Sequence, residues 1–510
     1  MSDKRGSYLV LTAMIFAVAM TFIDQTIVSI SVPEIQQELN LSSTGVQWVI
    51  NGYLLSLAAL FAFGGKVADV VGRRTMVVIG ILIFATASAL CGATPATGIA
   101  EAWIITFRVI QGVGAALMFP AAVAIVISAF PIEGRGKAMA LFFGITGALT
   151  SIGPIAGGYL TEWTWRSIFW INIPVAIIAL LLIWKSQPEQ HKRPQPIDYR
   201  GAVLIALGMG LLVLGLQQSA VWDWTSPATW VCILAGLSIL AVFVVTESRS
   251  ENPLIRIQIF KDRAFAVDCL ILGLMSIAFV PLFLFASMYS QISLGWQPAE
   301  AGLYLLIFFG GFGVASQWGG RILDAKGARP AMIIGGAVAA VGFYLWAQKM
   351  TDIDGGAGAQ WPFIVMAGAG IGLILSPAST DAINRAPATS YGEATGVTQT
   401  IRNFGASFGL AVLGSILIIQ NRVNLESLIG NKDKADAIAG AVSQSSGAGS
   451  GAAPNPKILD DIATAFAQSS QTIFYIMAGV MAVCFVVAVI WAPKGKMEEV
   501  FLDEDGGGST

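Results

Sequence analysis

Asp24 is a carboxylate inside an apolar segment, in the stretch TFIDQTIVSISVP at residues 21–33. The apolar run begins near Tyr8, and Asp24 has no charged neighbour within it. An ionised carboxylate at the centre of a bilayer costs about 2.5–3.5 kcal/mol even on the mildest insertion scale. Ionisable side chains kept at membrane depth usually serve a function, so Asp24 is a candidate for binding and releasing a proton.

A second buried charge is Arg108, in the apolar run RVIQGVGAA at residues 108–116. Gln111 follows by three residues and shares its helix face, where it can either steady the guanidinium or contact a small molecule. Desolvation strengthens proton binding by a carboxyl group, and a nearby arginine weakens it. A changing distance between Asp24 and Arg108 would therefore change proton affinity. The alternative is a static ion pair that only fixes helix register.

The composition is that of a membrane protein. Of 510 residues, 55% are hydrophobic and 12% charged, and the mean hydropathy is +0.72. A soluble domain carries roughly 25% charged residues. The four cysteines have no CxxC spacing, and the single histidine, His191, lies in a charged linker. These features disfavour a soluble globule, a disulfide framework, a histidine-ligated metal site and a Ser-His-Asp triad.

Fourteen apolar runs are long enough to cross a bilayer, for which a helix needs roughly 20 residues. They cover residues 8–32, 47–66, 75–93, 101–128, 137–161, 168–185, 201–219, 229–246, 264–291, 300–320, 330–348, 361–381, 394–419 and 471–492. Most of the 29 Lys and Arg residues lie in the loops and tails on one side of this alternation. By the positive-inside rule, that side and both termini are predicted to be cytoplasmic.

The predicted spans place the two charges at similar depth. At about 1.5 Å per residue, Asp24 lies about 12 Å below the outer end of the first span. Arg108 lies about 10 Å below the same surface in the fourth span. Arg402 lies some 12 Å from the inner surface in the thirteenth span, and we expect it to have a structural role, paired with carbonyl groups or with Asp381 or Glu393.

A loop motif occurs twice, as GGKVADVVGRR at 64–74 and GRILDAKGAR at 320–329. Each copy follows a span that ends on the predicted inner side. Glycines permit a sharp turn, and the aspartate can cap the next helix or pair with the arginine. We expect both loops to gate the cytoplasmic side; the alternative is that they only satisfy topology and solubility. The residues are Gly65, Asp69, Gly72, Arg73 and Arg74, and Gly320, Asp324, Gly327 and Arg329.

The two motif copies follow spans two and ten, which are eight apart, whereas equivalent spans of two six-helix halves are six apart. Two extra spans are therefore predicted between the halves. The predicted domains are a six-helix half at 1–185, a two-helix insertion with cytoplasmic linkers at 186–263, a second six-helix half at 264–492 that includes an extracytoplasmic loop at 420–470, and a cytoplasmic tail at 493–510.

Four stretches resemble the major facilitator superfamily, and within it the fourteen-helix drug:proton antiporters of the EmrB/QacA type. They are IDQTIVSISVP (23–33), the first loop motif, RVIQGVGAA (108–116) and GPIAGGYL (153–160), and GEATGVTQTIRNFGASFG (392–409) resembles the fourteen-helix group as well. The chain departs from the helix-5 motif at Leu149, where the family usually has glycine. The resemblance implies an all-α polytopic membrane protein with two six-helix halves and two inserted helices.

The same resemblance implies roles for individual residues. Asp24 and Arg108 would couple proton movement beside a central cavity. Gly153, Pro154, Gly157 and Gly158 would form the antiporter motif, sealing the protein against proton leak through tight packing. Candidates for lining a substrate cavity are Gln111, Trp48, Tyr53, Phe119 and Phe283.

These features predict a proton-coupled exporter of amphipathic toxic organic compounds or drugs, a multi-pass protein of the cytoplasmic membrane. The alternative is a dedicated exporter or permease for one metabolite, lipid, antibiotic or siderophore. No GxxxxGK[ST] loop is present, which disfavours a self-contained ATP-driven pump. We expect no enzymatic activity, no cofactor beyond the proton gradient and no nucleic acid. The expected partners are the substrate, protons and lipid; the expected state is a monomer, with a periplasmic adaptor left open.

Overall fold

The computed structural model describes residues 2–130, 132–190, 192, 196–384, 391–430, 456–493 and 495, and these residues contain helices and no strand. We number the fourteen long helices in chain order. They are α1 Ser2–Leu39, α2 Ser43–Val71, α3 Arg73–Gly92, α4 Ala100–Ala129, α5 Ile132–Trp163, α6 Ser167–Ser186, α7 Tyr199–Trp222, α8 Pro227–Arg249, α9 Arg263–Ile292, α10 Pro298–Lys326, α11 Ala328–Lys349, α12 Gly356–Asn384, α13 Tyr391–Ile429 and α14 Pro456–Trp491. α6 is interrupted at Ile171, and a short 3₁₀ helix at Ile257–Lys261 precedes α9.

The helices agree with the fourteen predicted spans. Within the described residues, thirteen are long and apolar enough to cross a membrane, and the remaining helix, α5, has 32 residues and covers the predicted span 137–161. Helices are the expected solution because each satisfies its own backbone hydrogen bonds without water. The side of the membrane on which the termini lie remains a prediction.

The boundaries around loop 420–470 differ from the prediction. α13 continues to Ile429 and α14 begins at Pro456, so much of this segment is helical. Leu425 and Ala465 form a small buried cluster between the two extensions, and Asn424 donates to Ser469 Oγ at 2.9 Å. Because the extensions of α13 and α14 bury side chains against each other, both helices are stable beyond their apolar runs. Residues 431–455 and the tail from 496 lie outside the described residues.

Helix contacts separate into two groups. Within residues 1–186, α2 and α3 pack on α4, and α1 packs on α5. Within the last six helices, α10 and α11 pack on α12, α11 packs on α14, and α9 packs on α13. Contacts between the groups run through α2 with α13, α5 with α10 and α1 with α9.

The two remaining helices, α7 and α8, pack chiefly on each other, and α7 also contacts α2 and α13. This is the contact pattern that a six-two-six division would produce; the division itself remains a prediction.

Candidate functional site

The structure brings Asp24 of α1 and Arg108 of α4 into direct contact. The Arg108 Nη1 atom donates to one oxygen of Asp24 at 2.6 Å. Gln111, one turn along α4, donates through Nε2 to the other Asp24 oxygen at 2.8 Å and accepts from Arg108 at 2.8 Å. Both carboxylate oxygens of Asp24 therefore accept a hydrogen bond from a side chain of α4.

Helix α2 completes the environment of Arg108. The backbone carbonyl of Val49 accepts from Arg108 Nε at 2.7 Å. The ring of Tyr53 lies under the guanidinium, with 4.5 Å from Cζ to the ring centroid. The guanidinium is therefore held by a carboxylate, an amide, a carbonyl and an aromatic face.

This ion pair is sealed from solvent. Asp24 and Gln111 are 0% exposed and Arg108 is 1% exposed. The resemblance implies a pair beside a central cavity; in this conformation α1, α2 and α4 close around the pair.

The two copies of the loop motif are built differently. In the first, Asp69 and Arg73 form an ion pair at 3.0 Å, and Arg73 also donates to Ser128 Oγ at 3.0 Å, which ties the loop to α4. Gly72 ends α2 at a φ of +117°, a conformation that favours glycine, and its N–H donates to the Ala68 carbonyl.

In the second copy, Gly327 has a φ of +82° at the corresponding turn. Arg329 donates to the Val489 carbonyl of α14 at 2.6 Å, and within the described residues Asp324 forms no ion pair. Arg74, the second arginine of the first copy, is partly buried. The repeat therefore conserves the turn glycines, whereas only the first copy shows the aspartate–arginine pair.

The glycines of α5 lie at two helix contacts. A Cβ atom at Gly153 would be 1.9 Å from Thr26 Oγ1 of α1, and one at Gly157 would be 3.0 Å from Ile27. Gly158 faces α10, where a Cβ would be 2.5 Å from the Ala299 Cα. These positions bring backbones together as small residues do between membrane helices.

Helix α10 contributes its own glycine to the same contact. A Cβ at Gly302 would be 2.2 Å from the Pro154 carbonyl oxygen. Further along α10, Gly310 and Gly313 have nothing within 4 Å of a built Cβ. α5 and α10 are therefore in close contact at the start of α10, whereas Gly310 and Gly313 have room for a methyl group among the described residues.

Two cavities lie between the two groups of helices. The larger, about 950 Å³, is bounded by the C-terminal end of α1, the N-terminal end of α2 and parts of α9, α13 and α14. Its wall includes Glu34, Gln37, Met288 and Asn421. By the predicted orientation it is an outer vestibule.

The smaller cavity, about 20 Å³, lies deeper between α1, α2, α4, α9 and α13, and has room for one water molecule. One side is aromatic, formed by Phe22, Phe61 and Phe119. Its polar lining residues include Gln25 of α1 and Arg402 of α13. We call it the central cavity.

The structure distributes the five predicted cavity residues among different places. Phe119 lines the central cavity, whereas Gln111 and Tyr53 belong to the ion-pair cluster. Phe283 is buried among aromatic rings, stacked on Phe309 with centroids 5.2 Å apart. Trp48 is partly buried and lines neither cavity. Roles of these side chains in substrate binding remain predictions.

A polar cluster that the sequence analysis missed joins three helices. Asn51 of α2 donates to Gln217 Oε1 of α7 at 2.7 Å and accepts from Ser407 of α13. Gln217 also donates to the Thr44 carbonyl at 3.2 Å. Asn51, Gln217 and Ser407 are 0% exposed. The available signal was an amide in an apolar run, which implies a buried hydrogen-bond partner.

The described residues contain no group of three His, Cys, Asp or Glu side chains that could hold a metal ion. Cys91, Cys232, Cys269 and Cys484 are free thiols. The candidate site therefore consists of the ion-pair cluster, the central cavity and the helix contacts that surround them.

Comparison with known proteins gives a consistent result. The family model described as Major Facilitator Superfamily matches residues 14–410. The tetracenomycin C resistance and export protein of Streptomyces glaucescens is 32% identical over 410 residues, covering 80% of this chain and 75% of that protein. The multidrug transporter protein MdtP of Bacillus subtilis (strain 168) is 31% identical over 416 residues, covering 80% of this chain and 75% of that protein.

Among solved structures, a bacterial homologue of the human lysosomal transporter Spinster, in an inward-facing and unoccupied conformation, superposes with a TM-score of 0.64 at 14% identity. The superposition covers 95% of this chain and 98% of the other. At this identity the similarity concerns the fold alone. The family match and the thirteen candidate spans in the described residues place the chain among multi-pass proteins of the cell membrane.

Proposed function

The chain belongs to the major facilitator superfamily, and on that premise we propose that it is a proton-coupled exporter of amphipathic toxic organic compounds or drugs. It exchanges protons for substrate across the cytoplasmic membrane, without a cofactor and without covalent chemistry. The observation that carries the proposal is the sealed cluster of Asp24, Arg108 and Gln111. The printed names of two relatives, a resistance and export protein and a multidrug transporter, support the direction and the substrate class.

Asp24 is the proton carrier in this mechanism. When α1, α2 and α4 separate, the carboxylate becomes accessible, takes up a proton and loses the charge that attracts Arg108. Arg108 keeps the Val49 carbonyl and the Gln111 amide as partners, so the cation is not stranded. When the cluster reforms, Arg108 again favours the ionised carboxyl, which releases the proton. Protonation and helix separation are thus linked, which is the requirement for coupling.

Two sets of helix contacts would open and close as the protein alternates between its two conformations. α5 and α10 meet at Pro154, Gly158 and Gly302, where glycines allow contact of the two groups of six helices. The Asp69–Arg73 pair holds the loop after α2 against α4. Rocking of one group against the other closes one face of the protein while the other opens.

A second candidate is a dedicated exporter of one compound. It is favoured by the name of the Streptomyces relative, which refers to a single antibiotic. The two candidates share mechanism and fold and differ only in the breadth of the substrate site.

The test is efflux from loaded cells that express the chain, compared with cells that carry an empty vector. Ethidium and rhodamine dyes are loaded, and extrusion is followed with and without a protonophore. Faster extrusion that the protonophore abolishes is expected. In everted vesicles, substrate addition should release protons from the acidified lumen. Export that continues at full rate without a proton gradient would refute coupling, and vesicles that respond to one antibiotic and to no dye would favour the dedicated exporter.

A further inference from the structure

We infer that Arg402 forms an anion-binding site in the central cavity, which receives the carboxylate or ionised phenol of an amphipathic aromatic substrate. The inference rests on the proposed export function and specifies its substrate class. It is based on a comparison of Arg108 and Arg402, the two arginines that lie within the predicted membrane spans.

Arg108 and Arg402 differ in how their charges are met. Arg108 has a carboxylate, an amide, a carbonyl and an aromatic ring around it. Among the described residues Arg402 makes one hydrogen bond, from Nη1 to Gln399 Oε1 at 3.0 Å, and no ion pair. Its Nε atom is buried without a hydrogen-bond partner in the described part of the chain.

Among the described side chains, Arg402 lacks the opposite charge that a buried cation requires. Charges within membrane helices are normally paired or face a water-filled cavity. Asp24, which lies next to Gln25 in α1, already accepts from Arg108 and Gln111 and is turned away from the central cavity. The counter-charge for Arg402 is therefore absent from the described side chains of this cavity and can be brought by a ligand.

The rest of the central cavity suits an amphipathic anion. Phe119 packs against Phe22 and Phe61 with ring centroids 5.6 and 5.2 Å apart, so one wall is an aromatic surface. The opposite wall carries Arg402, whose planar guanidinium can donate to a carboxylate, and Asn403, whose amide donates to the Gln399 carbonyl. An aromatic body with an acidic group matches both walls.

The cavity lies where the two groups of helices meet. Its walls come from α1, α2 and α4 on one side and from α9 and α13 on the other. At about 20 Å³ it is closed in this conformation. Separation of the groups enlarges it, so the anion site becomes available during the same motion that exposes Asp24.

The experiment measures thermal stabilisation of the purified full chain by two probes of nearly equal shape, 2-naphthoate and its neutral amide, 2-naphthamide. In the wild type, naphthoate should stabilise the protein at a lower concentration than naphthamide. In Arg402→Gln, naphthoate binding should weaken about tenfold or more, the value of a charge-assisted hydrogen bond, and the difference between the probes should vanish. The matched control is Arg321→Gln, which removes an exposed arginine of α10 and should behave as wild type.

Two further variants and measurements keep the test decisive. Arg402→Lys keeps the cation but loses the planar fork, so the preference for naphthoate should persist in weakened form. Without ligand, Arg402→Gln should melt no lower than the wild type, because it removes a buried cation without a counter-charge. A wild type that does not distinguish the probes, or an Arg402→Gln protein that still prefers naphthoate, would overturn the inference.

Dye efflux measured in parallel separates this inference from the proposed function. If wild-type cells show protonophore-sensitive efflux and the purified protein shows no preference for naphthoate, only the anion site is wrong. If neither the dyes nor 2-naphthoate is exported while the preference and its loss in Arg402→Gln are present, the binding site stands and the export function fails.

Discussion

Replacement of Asp24 by asparagine separates proton coupling from structural support. Asp24→Asn keeps the shape of the side chain and removes the charge opposite Arg108, which stays 1% exposed. Loss of one partner of a buried ion pair costs about 3–5 kcal/mol. We expect a loss near 3 kcal/mol, the lower end of this range, because Arg108 retains the Val49 carbonyl at 2.7 Å and Gln111 at 2.8 Å.

The effect on transport should be larger than the effect on stability. An exchange that moves one net positive charge inward, down a membrane potential of about 100 mV, releases about 2.3 kcal/mol, which sustains roughly a 40-fold substrate gradient. Without a proton-binding carboxyl, Asp24→Asn should equilibrate substrate and build no gradient. The assay is dye extrusion against a gradient, with surface expression and melting temperature measured on the same preparation.

The double variant Asp24→Asn/Arg108→Gln provides the sharpest comparison. It removes both charges, so the melting temperature should recover towards that of the wild type, because no buried charge is left unpaired. Uphill efflux should stay absent. If the double variant restores both stability and uphill efflux, the pair is a static support and the coupling mechanism is wrong.

A matched control uses another carboxylate of the same helix. Glu38 of α1 pairs with Arg166 but is half-exposed. Glu38→Gln should change stability by less than about 1 kcal/mol and leave efflux intact. A loss of efflux in this control would mean that any charge change in α1 disturbs the protein.

Three further predictions concern the contacts around the site. Gly302→Ala should destabilise the protein by about 1–3 kcal/mol and slow efflux, because its Cβ would meet an α5 carbonyl oxygen at 2.2 Å. The control Gly310→Ala, in the same helix, should melt and transport as wild type. Equal melting temperatures of the two variants would contradict the close contact. Asp69→Asn should lower the efflux rate. It should destabilise the protein by less than about 1 kcal/mol, because the ion pair with Arg73 is partly exposed. Efflux at the full rate would mean that this loop does not gate the protein. Gln217→Leu should lower the free energy of unfolding by about 1–3 kcal/mol, because it leaves the buried Asn51 amide and Thr44 carbonyl without Gln217 as a hydrogen-bond partner. The control Gln218→Leu changes a partly exposed neighbour and should not lower it. Similar melting temperatures of the two variants would show that α7 is not anchored by this cluster.

Local sequence patterns were sufficient for much of the fold. Apolar runs of about 20 residues predicted the fourteen helices because a backbone in lipid must satisfy its own hydrogen bonds. The turn at Gly72 also followed from the sequence, since glycine permits the φ of +117° found there, but α2 continues to Val71, beyond the predicted span 47–66. The extensions of α13 and α14 beyond the apolar runs were not predictable, because they depend on burial of Leu425 against Ala465.

The sequence by itself determined which side chains are costly within a membrane. Asp24, Arg108 and Arg402 stand out because a charge in an apolar run needs compensation, whatever the fold. Estimates of depth also matched Asp24 with Arg108, since helical rise is nearly constant.

Only the tertiary structure decided which partners these charges have. It sealed the first pair with Val49 and Tyr53 of α2, placed Gln111 on the carboxylate, and left Arg402 at a cavity with one amide partner. It also joined Asn51 to Gln217 and Ser407, residues far apart in the chain. Such partners come from other helices, and which helix faces meet depends on packing across the whole bundle rather than on the pattern of any single segment.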